Sequence, residues 1–471
     1  MTSATARVLP VATARLLADQ AFSRAAGAPL VHGNAVRLLR DARENYPAWL
    51  EAIGAARRFV HFESYIIHPD EVGFRFVEAL VEKAREGVPV RVVYDWLGAL
   101  GRGRARLWRR LREGGVEVRC FNPPRLDQPL GWVTRDHRKS VVVDGEVAFV
   151  TGLCIGKMWE GWPDKGLPGW RDTGVEIRGP AVADVERAFV ETWTACGGHL
   201  PDEHKAPASA PGPRGEVALR VVATTSGTHS LYRLDPLIAA LARRTLWLTD
   251  AYYVGTPAFV QALRAAARDG VDVRLLVPGR GSDLGFVQMV SRAGYRPLLD
   301  AGIRVFEWNG PMLHAKTSVA DARWARVGSS NLNPASWMGN WELDIVIENE
   351  RFGREMEQMY EEDLAQATEI VLERRRRVRP AQNARNPRRR GAGGTAARAA
   401  AGALRLSNAI GTVLASSRLH GPAEQRLMLY GAATLSALSL IAFLWPRVLA
   451  WPLGTVSLWL AVSLLLGLRR R

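Results

Sequence analysis

The chain repeats itself. AlaArgArg at Ala56–Arg58 opens the run FVHFESYII from Phe59, and the same three residues at Ala242–Arg244 open TLWLTDAYYV from Thr245. A helical stretch from Gly73 to Glu86 follows the first run, and one from Pro257 to Arg268 follows the second. Then come REGVPVRVVYD from Arg85 and RDGVDVRLLVP from Arg268. Strand, helix and strand in that order, with nearly continuous apolar strands, is the pattern of βαβ units in a parallel or mixed sheet covered by helices. A duplicated pattern of this kind predicts an α/β protein of two pseudo-symmetric halves, each of roughly 150 residues, the usual domain size.

The remaining stretches divide the chain. Residues 1–27 mix Ala and Leu with Arg7, Arg15, Asp19 and Arg24, so no secretory signal is expected, only a helical segment packing on the body. The halves are placed at 28–200 and 216–370, joined by a linker at 201–215 rich in Pro, Ala and Gly. Residues 371–425 form a basic, arginine- and glycine-rich tether with little to bury. In 426–471, Leu427–Leu444 and Val448–Leu468 carry no charge, and each is close to the ~20 residues a membrane-crossing helix needs. Trp445 and Trp451 sit where an aromatic belt would place them. Arg426 and Arg469–Arg471 flank the outer ends, which predicts a transmembrane hairpin with both ends in the cytoplasm.

The net charge of +16 follows this division. From Arg374 onward there are 17 arginines and one acid, Glu424, while the preceding 373 residues hold 46 basic and 46 acidic side chains. The body is formally neutral, and the excess lies where anionic lipid headgroups would attract it. That argues for membrane lipid and against nucleic acid as partner. Cys120, Cys154 and Cys196 are three cysteines without a CxxC pair, so neither a disulfide framework nor a cysteine zinc site is expected.

The chemistry lies in a second repetition. His137-Arg-Lys139 with Asp144 in the first half matches His314-Ala-Lys316 with Asp321 in the second. Two residues apart in strand-like sequence, each His and Lys project to one face. The chain has 57 arginines and six lysines, and two of the six stand in this motif. Two imidazoles supply a nucleophile and a general acid and base, and two ammonium groups neutralise a tetrahedral anion, most naturally a phosphoryl group. Covalent phosphoryl transfer through a phosphohistidine is the chemistry this favours, and it calls for no metal or other cofactor.

The duplicated HxKx4D motif resembles that of the phospholipase D superfamily. So do Gly328-Ser329-Ser330-Asn331-Leu332-Asn333 and Asn340-Trp341-Glu342 after the second copy. Gly33-Asn34, HFESY at His61–Tyr65 and FEWNGPMLHAK ahead of the second motif are similar to bacterial cardiolipin synthases. The resemblance implies that one of His137 and His314 attacks the phosphodiester, with His137 favoured, and that the other protonates the leaving alcohol. Lys139 and Lys316 would hold phosphate oxygens, with Gly328, Ser329 and Asn331 beside them, and Asp172 and Glu342 would orient the histidines. Asp144 and Asp321 complete the motif, and a structural part is expected of them. One departure is Cys154, where the resemblance leads one to expect the amide that Asn331 provides in the second half. A thiol is the weaker donor.

The implied activity is a phosphatidyltransferase forming cardiolipin from two molecules of phosphatidylglycerol, with release of glycerol. Its partners would be phosphatidylglycerol and anionic membrane lipids, and its place the bacterial inner membrane with the body on the cytoplasmic side. Alternatives within the superfamily are a phospholipase D or transphosphatidylase with another acceptor, and a nuclease.

Overall fold

The computed structural model describes residues 11–100, 104–124, 134–201, 211–372 and 378–380, and a few isolated positions between Leu440 and Leu458. Two compact units are present, Met1–Ala415 and Ser416–Arg471. The expected membrane hairpin falls, apart from those isolated positions, outside the described residues. Among the described residues no helix is long and apolar enough to cross a membrane.

All the strands among the described residues lie in the first unit. Its first half supplies β1 (Val31–Arg40), β2 (Val60–Ser64), β3 (Val90–Asp95), β4 (Glu117–Phe121), β5 (Lys139–Val143) and β6 (Val147–Thr151). A small separate hairpin of β7 (Gly161–Trp162) and β8 (Leu167–Pro168) precedes β9 (Thr173–Arg178). The second half supplies β10 (Val217–Thr224), β11 (Thr245–Thr249), β12 (Asp272–Pro278), β13 (Arg304–Trp308), β14 (Thr317–Ala320), β15 (Trp324–Gly328) and β16 (Glu342–Glu348). At its edge follow β17 (Ala367–Leu372) and β18 (Val378–Pro380).

The strand order shows the duplication directly. It runs β4-β3-β2-β5-β6-β9-β1 and continues β10-β16-β15-β14-β11-β12-β13-β17-β18, so the second half mirrors the first across the β1–β10 seam. In each half the pairs that bracket the βαβ unit are parallel, β2 with β3 and β3 with β4, β11 with β12 and β12 with β13. The other pairs are antiparallel, which makes the sheet mixed. Asn34 staples the seam from a fully buried position. Its amide donates to Val31 O and Val217 O, and its Oδ1 accepts the N–H of Ala181.

Alternation along the strands builds two kinds of core. In β5 and β6, Val141, Val143, Val147 and Phe149 pack with the first half's helices, among them Phe76, Val77, Leu80 and Val81 of helix Glu71–Arg85. The intervening Val142, Ala148 and Val150 pack instead with Val319, Ala325, Val327, Leu343, Ile345 and Ile347 of the second half. Each such buried Val, Leu or Ile contributes roughly 1.5–3 kcal/mol, so the halves are joined by a core and not merely tethered. Helix starts are set locally: Asp70, Thr256 and Asn349 each accept the N–H three residues on.

Candidate active site

Each motif histidine sits just ahead of a central strand, His137 before β5 and His314 before β14. Each is clamped by backbone from the other half. The N–H of His137 donates to Trp341 O at 2.8 Å, and the N–H of Trp341 donates to Arg135 O at 2.8 Å. In the mirror arrangement the N–H of His314 donates to Arg171 O at 2.7 Å, and the N–H of Arg171 donates to Met312 O at 2.9 Å. The residue after each clamp is a carboxylate.

The carboxylates are therefore exchanged. Glu342 Oε2 lies 2.8 Å from Nδ1 of His137, and Asp172 Oδ2 lies 2.6 Å from Nδ1 of His314. Both acids are fully buried. Asp172 also accepts Trp159 Nε1 at 3.3 Å and the N–H of Thr173 at 2.8 Å. Glu342 accepts the Ser329 hydroxyl at 2.6 Å and the Asn340 amide at 3.2 Å. Close approach explains two glycines here. A Cβ on Gly152 would lie 2.3 Å from Asp172 Oδ1, and one on Gly328 would lie 2.5 Å from Asp344 Oδ1.

Lys139 and Lys316 each donate to the carbonyl of the histidine two residues back. Lys316 Nζ also lies 3.0 Å from His314 Nδ1. Tyr65 meets the His137 ring edge-on at 5.1 Å, and Tyr252, Trp159 and Trp170 surround His314 at 5.9, 5.6 and 5.7 Å. Asn331 is buried, its side-chain carbonyl without a hydrogen-bond partner among the described residues. Asp144 and Asp321 stand apart, at the far ends of β5 and β14. Each carboxylate accepts three consecutive backbone N–H groups, those of Arg57, Arg58 and Phe59 or those of Arg243, Arg244 and Thr245.

The two dyads differ electrostatically. Burial, reinforced by the charge of Lys316, pushes His314 down to about 4. Burial alone would raise Asp172, but His314 and Lys316 hold it below the ordinary carboxylate range. This dyad is a neutral imidazole beside an ionised carboxylate, so with its proton on Nδ1 the Nε2 lone pair is free. In the other dyad burial outweighs Lys139 and pushes Glu342 up to about 7. Burial also lowers Lys316 to about 8, with Asp172 opposing the fall and the nearby charge of Lys139 adding to it. The Cys154 thiol is pushed up by burial, against Lys139 and Lys316. Two imidazoles, two carboxylates and two ammonium groups thus gather where the halves meet. Sequence reasoning passed over Tyr252, Arg138 and Arg171 as parts of this site. Only the contrast between His-Arg-Lys and His-Ala-Lys hinted at Arg138.

The profile described as "Cardiolipin synthase, PLD-like domain" matches residues 49–158 and 237–364, and each stretch contains one motif copy. Cardiolipin synthase A of Pseudomonas aeruginosa is 36% identical over 365 residues, covering 77% of this chain and 74% of that protein. Cardiolipin synthase 2 of Bacillus anthracis is 31% identical over 344 residues, 72% of this chain and 66% of that protein. Among solved structures, phosphatidylserine synthase of Haemophilus influenzae shares the fold, with a TM-score of 0.60 at 14% identity over 73% of this chain and 90% of that one.

Proposed function

From its membership of the cardiolipin synthase family of PLD-like proteins, to which this chain belongs, we propose that it is a phosphatidyltransferase that makes cardiolipin from two phosphatidylglycerol molecules. The observation that carries the reading is the exchange of carboxylates, which gives each half's histidine its orienting acid from the other half. In the first step the Nε2 of one imidazole attacks the phosphorus of phosphatidylglycerol. The bond from phosphorus to the glycerol oxygen breaks, that oxygen takes a proton from the second imidazole, and glycerol leaves. In the second step the second imidazole removes a proton from a hydroxyl of another phosphatidylglycerol. The oxygen then attacks phosphorus and displaces the histidine.

Lys139 and Lys316 stabilise the charge on the phosphoryl oxygens, which builds up in both steps. Asp172 and Glu342 hold the imidazoles in the tautomer that leaves Nε2 facing substrate. The family resemblance favours His137 for attack, and the neutrality of His314 in the free site favours His314. The charge-free C-terminal stretches and their arginines support a body held at the cytoplasmic face of the membrane that carries its substrate.

The test uses purified full chain in vesicles of phosphatidylglycerol and phosphatidylethanolamine, with lipid products and free glycerol read by mass spectrometry. Glycerol release with a matching yield of the diphosphatidyl product supports the reading. Phosphatidic acid as sole product would make the enzyme a hydrolase, and a mixed product would identify another acceptor. Acid-free quenching and peptide mapping of the trapped phosphohistidine decide between His137 and His314.

A further inference from the structure

Between the histidine and lysine of the first motif stands Arg138, where the second copy has Ala315. Alternation sends its side chain to the opposite side of the strand from His137 and Lys139. It is fully buried there. Its Nε donates to Glu342 O at 3.3 Å, Nη1 to Ala188 O at 2.7 Å and Thr192 Oγ1 at 3.1 Å, and Nη2 to Thr224 O and Glu191 Oε2, both at 3.0 Å. The guanidinium also lies 5.0 Å from the ring of Trp341, whose carbonyl accepts from His137. Arg138 thus grips Thr224, Trp341 and Glu342, all in the second half.

A buried cation is costly unless fully paired, and the second copy of the motif does without one at this place. The counterpart task near His314 falls to Arg171. Its guanidinium donates to Asp172 O and pairs with Asp363 at 2.8 and 2.9 Å and with Asp41 at 3.1 Å. By two different routes, the backbone carbonyl of each orienting carboxylate is held by a buried arginine. We propose that Arg138 is a positioning residue for His137, acting through Glu342: by fixing the backbone of Trp341 and Glu342 it sets the carboxylate that aims the imidazole. The proposal rests on the two-histidine reading above.

The groups facing Glu342 are His137, Lys139, Ser329, Ser336 and Asn340, with Asp344 close by, and those facing Arg138 include the buried Glu63 and Asp136 as well as Glu191. The experiment compares wild type, Arg138→Ala and Arg138→Lys as purified full chains. It reads kcat and KM with phosphatidylglycerol vesicles, the pH profile of kcat, and the melting temperature. Ala is the residue of the other copy and suits the strand.

Arg138→Ala is expected to lower kcat 10–100-fold, as loss of an outer support for a ligating or catalytic group commonly does, with KM within about threefold. Its acid limb moves to higher pH, because a carboxylate no longer fixed against His137 loses a hydrogen bond that favours its charged form. Arg138→Lys returns the limb towards wild type but not the full kcat, since an ammonium cannot reproduce the planar fork. Wild-type kcat and pH profile per folded molecule in Arg138→Ala would overturn the proposal, whatever the melting temperature. If that variant does not fold, wild-type kcat in Arg138→Lys overturns it equally. Failure of the underlying reading is visible separately, as wild type that releases no glycerol or as His137→Ala that still does.

Discussion

Asp144 closes the first motif, yet its position makes it a brace for the fold. Its carboxylate accepts the N–H groups of Arg57, Arg58 and Phe59 at 2.9, 2.7 and 3.0 Å, which ties the entry of β2 to the end of its neighbour β5. Its φ of 58° lies in the left-handed region. In Asp144→Ala all three bonds to a charged acceptor vanish. Such bonds are worth about 1.5–3 kcal/mol each when buried, and nearer 1 kcal/mol here because two of the donors are exposed. Left-handed backbone costs a residue with Cβ a further ~1–2 kcal/mol, a cost that Asp and Asn offset by local hydrogen bonding.

The expected loss is therefore about 4 kcal/mol for Asp144→Ala and about 1–2 kcal/mol for Asp144→Asn, which keeps an acceptor and tolerates the backbone. Urea titration gives the stability, and glycerol release normalised to folded protein gives kcat. The folded fraction of both variants should turn over within threefold of wild type. A tenfold fall in kcat for Asp144→Asn at unchanged urea midpoint would refute the reasoning and return Asp144 to the reaction.

Asp172→Asn and Glu342→Gln should each lower kcat by roughly 10²–10⁴-fold with little change in KM, by analogy with removing the carboxylate partner of a catalytic histidine; steady-state kinetics on vesicles checks this. Glu342 is pushed from its ordinary 4.5 up to about 7, so the folded state holds a proton that the unfolded chain has released, and this group's contribution to stability is lost as pH rises from 4.5 to 7. Glu342→Gln should accordingly gain about 3 kcal/mol relative to wild type across that window, read as the difference between their urea midpoints at several pH values; a constant difference would contradict it. His314, pushed down to about 4, acts in the opposite sense and costs stability as pH falls from 6.5 to 4. The Cys154 thiol, raised by burial, stays protonated at neutral pH, so Cys154→Ala should keep at least a third of wild-type kcat and iodoacetamide should leave wild type active. Loss of activity in either assay would make the thiol a participant.

What could be read before the fold was seen is what repeats along the chain. The two βαβ wordings and the two HxK pairs are local patterns, and strand and helix periodicity carries them. The helix read from Gly73 to Glu86 spans Glu71–Arg85 in the structure, and the one read over Pro257–Arg268 has those bounds. Long-range pairing was not legible. Nothing near Asn34 says that its amide will meet Val217 across the seam, because the partner lies 183 positions away. Asp172 and Glu342 were picked out only through family resemblance, and the crossing of each to the opposite half's histidine follows from how the two halves pack. Arg138 was hidden for another reason. In a chain with 57 arginines one more draws little notice, and beyond the Ala315 at the matching place of the second motif only burial distinguishes it.

The exchange of carboxylates bears on ancestry. A protein with a single motif could complete either dyad only by pairing with a copy of itself, and strict symmetry would then force the same side chains on attack and on proton donation. Joining the copies in one polypeptide lifts that constraint. Asp172 and Glu342, Cys154 and Asn331, and Arg138 and Ala315 are the places where this chain has used the freedom, so that two descendants of one motif need no longer do the same job.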